Sequence, residues 1–174
     1  SRADTIIILS QLNKKQYDAA LASIAELEKK QAANPLTWNY RGAAYLGKQD
    51  VVRARDSFSQ ALKLDPTFFP AAANLAHLDL KDKRPDTARQ RFEGILKADP
   101  RHLKAMMALA ELALRSQDEK AFLNWLDKAA RAHPQALQPR VTLARYHLAK
   151  GDRNKALATA REAVNAQPES PVAL

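Results

Sequence analysis

Proline stands at positions 66, 100, 134 and 168, each 34 residues after the last. A chain that repeats at so short a fixed interval folds as stacked supersecondary units, because one unit alone cannot bury its apolar face. Five such units account for all but four of the 174 residues. The period extends to packing residues. One column reads Ala20, Ala54, Ala88, Phe122, Ala156, and four residues later another reads Ile24, Phe58, Phe92, Leu126, Ala160. A third is mostly small (Ile8, Gly42, Ala76, Ala110, Ala144), and a fourth is leucine throughout (Leu12, Leu46, Leu80, Leu114, Leu148). Alanine occurs 34 times and leucine 23 times against four glycines, so the units are built of helices, not strands.

Each unit reads as two helices, A and B. The small residue on A lets B approach closely, while the alanine on B and the residue four later share one face. The repeat-closing proline ends B, since it cannot continue a helix. Pro70, Pro139 and Pro171 fall in the first turn of an A helix and Pro85 in that of a B helix, where a missing N–H costs little. Gly151-Asp152 makes the A-to-B turn of the fifth unit. Two departures carry expectations. The first unit has Ala32 at its closing position and Pro35 three residues late, so its B helix is expected to run a turn long or its loop to differ. Phe122 replaces alanine in the fourth unit, so A and B there are expected to splay, with Ala113 making room opposite. The bulky ring either repacks in place or opens a ligand pocket.

Several function classes fall away. There is no cysteine, hence no disulfide, thiolate metal site or cysteine nucleophile. No apolar run reaches the ~18 residues of a membrane span. No phosphate-binding glycine loop, His-Glu-x-x-His or Gly-x-Ser-x-Gly is present, and His77, His102, His133 and His147 show no metal-ligand spacing. No enzymatic activity, metal or cofactor is expected. The net charge of +9 is spread over every repeat with both signs interspersed. The densest basic stretch, Lys81 to Arg84 with Arg89 and Arg91, also holds acids and reads as a solvated turn. Most aromatics occupy framework columns, so few are free to stack on bases, which speaks against nucleic acid.

The 34-residue period with these columns resembles the tetratricopeptide repeat. Residues 35–68 carry its signature as Trp38, Gly42, Tyr45, Ala54, Phe58, Ala61 and Pro66, with Arg41 where that family usually has leucine. The resemblance covers the whole chain as repeats 1–34, 35–68, 69–102, 103–136 and 137–170. It implies an all-α, right-handed α-α superhelix: one solenoid of five helix-turn-helix repeats and about ten helices. It further implies a protein or peptide partner held on the inner face lined by A helices.

The residues that the family pattern turns toward that groove include Asn39, Tyr40, Asn74, His77, Lys104, Glu111, Arg115, Gln138, Thr142 and Arg145. One column of the A helices reads Leu9, Ala43, His77, Glu111, Arg145. With neighbouring A helices ~8–10 Å apart, its last three members are placed to form a polar ladder. That ladder is either an inter-repeat ion pair worth ~0–1 kcal/mol or a recognition surface for a charged segment. A carboxylate clamp of the kind that holds chaperone tails is not expected: Asn74 and Lys104 match it, whereas Asn39, Ala43 and Ala108 do not.

Two stretches, Pro139 to Asp152 and Gln167 to Leu174, are similar to the tetratricopeptide-repeat lipoproteins of bacterial PEP-CTERM and exopolysaccharide systems. That resemblance implies a cell-envelope scaffold in protein sorting or polysaccharide export, with its lipid anchor upstream of this chain. The opening Ser1-Arg2-Ala3-Asp4 and the closing Pro171-Val172-Ala173-Leu174, which reads as the start of a sixth repeat, suggest an excerpt of a longer protein. Uncapped ends point to self-association, and end-to-end assembly and a glycan-binding groove are the alternatives to peptide capture.

Overall fold

A computed structural model describes residues 2–31 and 33–166. Ala32, Pro168 and the sixth-repeat start at 171–174 lie outside them. The described residues form ten α-helices and no strand. The A helices are α1 (Arg2–Asn13), α3 (Pro35–Gly47), α5 (Phe69–Lys81), α7 (Leu103–Arg115) and α9 (Leu137–Ala149). Their B partners are α2 (Tyr17–Lys30), α4 (Val51–Leu64), α6 (Pro85–Ala98), α8 (Glu119–Ala132) and α10 (Arg153–Ala166). From α3 onward the A helices begin at 35, 69, 103 and 137, so the sequence period is also the structural one.

All five A-to-B turns are built alike. The N–H of Asp50 donates to the Tyr45 carbonyl at 2.9 Å and that of Gln49 to Leu46 at 2.9 Å, the paired bonds of a Schellman motif. The same pair recurs in the other four turns, and the second bond ends each time on a leucine of the invariant column. This geometry needs one residue with positive φ. Gly151 supplies it in the fifth turn (φ +80°), but Lys15, Gln49, Lys83 and Gln117 supply it in the other four (φ 57–63°). The next helix is then capped: the Asp50, Asp118 and Asp152 carboxylates accept from the N–H of Arg53, Ala121 and Lys155.

The contacts divide the chain into two compact units, 1–98 and 99–174. In the first unit one core gathers Ile8, Ala20, Ile24, Leu27 and Ala44, and a second gathers Ala54, Phe58, Ala61, Ala71, Leu75 and Leu78. Gly42 lies so close to the Phe58 ring that any Cβ there would collide with it. The small column and the large column are thus complementary within the pair, glycine facing phenylalanine. Gly47 meets the Tyr17 ring just as closely, a second requirement for glycine that the columns did not reveal. In the second unit Ala110, Ala113, Phe122 and Leu126 form the core, with Trp125, Leu143 and Tyr146 packed against it.

Three expectations are corrected. The first B helix does not run long: α2 has 14 residues, as α4, α6, α8 and α10 do. Its loop also closes like the others, the Asn34 N–H donating to the Gln31 carbonyl at 3.2 Å. The Asn34 side chain donates to Gln31 and caps α3 through the Leu36 N–H, which fixes the loop without a closing proline. Second, α7 and α8 do not splay around Phe122 and pack side by side as the other pairs do. The ring is 1% exposed and lies 4.9 Å from that of Tyr146 on α9, so its bulk is taken up by the next A helix. Third, the basic turn after α5 is more than solvated charge. Asp79, with 0% exposure, accepts hydrogen bonds from Arg55 at 2.7 Å, Arg91 at 2.9 Å and Arg84 at 3.2 Å.

Candidate functional site

The groove-lining candidates come from A helices in both units. On α3 and α5, the Asn74 side-chain amide donates to Asn39 Oδ1 at 3.1 Å, so these two residues clamp one another across consecutive repeats. Tyr40 is half-buried and packs against the α1–α2 core, and its burial raises the hydroxyl's pKa above the ordinary value. It therefore serves the framework as much as any surface. His77 stands exposed on α5 and makes no hydrogen bond or ion pair among the described residues.

In the second unit, Lys104, Glu111 and Arg115 lie along α7 and Gln138, Thr142 and Arg145 along α9. All but Thr142 are exposed, and none of the six has a polar side-chain partner among the described residues. Glu111 and Arg145 consequently form no ion pair. The ladder reading loses its intramolecular half, and both charges face solvent. Some charges elsewhere in the protein are paired. Arg41 pairs with Glu28, Lys48 with Asp18, and Arg55 bridges Asp79 and Asp82.

Thr142 and Arg145 come together on one wall of a cleft of about 440 Å³ within this unit. Leu114, Phe122 and Ala149 supply its apolar surface, with Tyr146 and Lys150 completing it. In the invariant leucine column Leu114 is 45% and Leu148 58% exposed, whereas Leu12, Leu46 and Leu80 are half-buried. Tyr146 donates its hydroxyl to Glu119, and Lys150 reaches the same carboxylate at 3.3 Å. The Tyr146 ring is thereby pinned over Phe122, which defines the cleft floor. The sequence signals for this cleft were Phe122 in a column of alanines, Leu114 in the all-leucine column, and Thr142 and Arg145 at groove positions; Tyr146 and Lys150 carried no signal of their own.

The site offers no catalytic constellation. Among the described residues no group of three or more His, Asp or Glu side chains is placed to hold a metal ion. No helix among them is long and apolar enough to cross a membrane. What the arrangement provides is fixed, unpaired charge beside exposed apolar surface on rigid helices.

Tetratricopeptide-repeat family models match residues 35–68 and 74–136, together more than half of the chain. Solved structures share the architecture. MamA from Desulfovibrio magneticus RS-1 aligns with a TM-score of 0.63 at 20% identity, covering 98% of this chain and 96% of its own. PilW, a widely conserved type IV pilus biogenesis factor, aligns at 0.62 and 22% identity, covering 95% and 76%. The pilF protein of Pseudomonas aeruginosa aligns at 0.66 and 12% identity, covering 99% and 78%. At these identities the likeness is one of fold. A search of curated protein sequences returns no match.

Proposed function

Because the chain belongs to the tetratricopeptide-repeat family, we propose that it is a non-catalytic scaffold that holds a segment of another protein on its A-helix face. One observation carries the reading. The charged candidates of α7 and α9, Lys104, Glu111, Arg115 and Arg145, are exposed and have no polar partner among the described residues. A surface whose charges are left open on rigid elements is preorganised for a partner's charges. The finer assignment, to protein sorting or polysaccharide export in the bacterial cell envelope, rests on the resemblance of residues 139–152 and 167–174.

Affinity capture tests the scaffold. Residues 1–174 are immobilised and exposed to soluble and envelope fractions of the source cell, beside the Glu111→Lys, Arg145→Glu double variant. The reading predicts a protein retained by the wild type and lost from the variant. Identical retention on both columns contradicts it.

A second reading, self-association, is favoured by one specific observation. Ile6 is 61% exposed and Ile7 and Leu9 beside it are exposed on α1, as are Leu157 and Val164 on α10. Large apolar side chains exposed side by side, as on α1, mark contact surfaces. Sedimentation velocity at rising protein concentration should show association that weakens in Ile6→Ser, Leu157→Ser. A single unchanging monomer boundary for the wild type removes this reading.

A further inference from the structure

We propose that the cleft between α7 and α9 recognises an acidic segment of its partner: a large aliphatic side chain seated beside Leu114 and Ala149, with the carboxylate of a neighbouring Asp or Glu on Arg145. The proposal rests on the scaffold reading and specifies which chemistry that scaffold selects. At about 440 Å³ the cleft falls within the ~300–1,000 Å³ range of ligand sites. Its lining contains two cations, Arg145 and Lys150, and no carboxylate.

The two cations differ in availability. Lys150 is held at 3.3 Å by Glu119, and both side chains are more than half exposed, so that pair is weak and exchangeable. Arg145 is exposed and has no partner among the described residues. A guanidinium offers a planar fork that matches a carboxylate in two parallel hydrogen bonds. Beside it, Leu114 leaves apolar surface in water that an aliphatic side chain would cover. The Thr142 hydroxyl, half-buried on the same wall and without a hydrogen-bond partner among the described residues, is free to meet a peptide's main chain. The floor is rigid: Phe122 is buried against Tyr146, whose hydroxyl is fixed on Glu119. Phe122 therefore offers no open ring face for base stacking, which favours a peptide over a nucleic acid.

The test is a randomised peptide array probed with the 1–174 chain, with peptides acetylated and amidated so that only side chains carry charge. The wild type should enrich Leu, Ile or Met within two positions of Asp or Glu, and Arg145→Glu should lose that enrichment. An enriched peptide measured by fluorescence anisotropy should bind about tenfold more weakly to Arg145→Glu, the change expected on losing a charge-assisted pair. Circular dichroism checks that this exposed substitution leaves the helices intact. No enrichment, enrichment of neutral or basic peptides, or an acidic motif indifferent to Arg145→Glu overturns the proposal. So does binding confined to a parallel array with free C-terminal carboxylates. If cellular capture finds a partner lost from the double variant while the array shows no acidic motif, the scaffold stands and this occupant falls.

Discussion

Asp79 shows how far one side chain can depart from what its neighbours in sequence suggest. It lies in a stretch of alternating charges yet is fully buried, with Arg55 from α4 and Arg91 from α6 on its two oxygens. Burial opposes its charge. The hydrogen bonds from Arg91 and Arg55 outweigh that, so the carboxyl is held below its ordinary value. A carboxyl whose pKa is lower folded than unfolded contributes stability above the unfolded value, and that contribution is lost as pH falls through the folded value. Asp79→Ala should therefore destabilise the protein by about 3 kcal/mol at neutral pH, since it strands partly buried arginines. The gap between wild type and variant in urea denaturation should begin to narrow only below the ordinary aspartate value of ~3.9 and be lost as pH falls through the lower value of the folded carboxyl. An equal gap at every pH would mean that the loss is one of packing alone. The sequence held a signal for this hub: a carboxylate in a column otherwise occupied by Gln11, Tyr45, Ala113 and His147, with arginines on the two flanking B helices. Reading the stretch as a linear charge run hid it, because charge runs do not reveal which residues share a helix face.

The elements were the most legible level. Helix boundaries follow from the 34-residue spacing and from proline in first turns, and these are local signals that tertiary packing reinforced. The turns were less legible. Only Gly151 announced a left-handed residue, whereas Lys15, Gln49, Lys83 and Gln117 adopt the same conformation without the sequence cue. A residue with a Cβ is strained there and glycine is not. Gln49→Gly should thus stabilise the protein by about 0.5–1 kcal/mol, while Gly151→Ala should destabilise it by about the same amount. Paired thermal melts check the opposite signs. The splaying expected around Phe122 failed at this level for a definite reason. A repeat viewed alone offers only its own B-to-A gap, but the ring also had the neighbouring repeat's Tyr146 to pack against.

For the molecule as a whole, the repeat architecture was readable because every column is sampled five times, so one odd residue cannot mask the pattern. The candidate site was readable only in part. The family pattern turned Thr142 and Arg145 toward the A-helix groove and left the Glu111–Arg145 ladder open between an ion pair and a recognition surface; Thr142 and Arg145 line the cleft, and Glu111 and Arg145 form no ion pair among the described residues. Framework columns recur and can be aligned, whereas binding residues differ from repeat to repeat by their nature. The account's central claim is that the partner lies on the A-helix face, and site-specific photo-crosslinking tests it most directly. A photoreactive residue is placed in the source cell at Lys104, Thr142 or Arg145 on A helices, and at Lys97 or Arg161, exposed on B helices. The account predicts one common protein crosslinked from the A-helix positions and not from the B-helix positions. Crosslinks to a partner from Lys97 and Arg161, with none from the A helices, would contradict it.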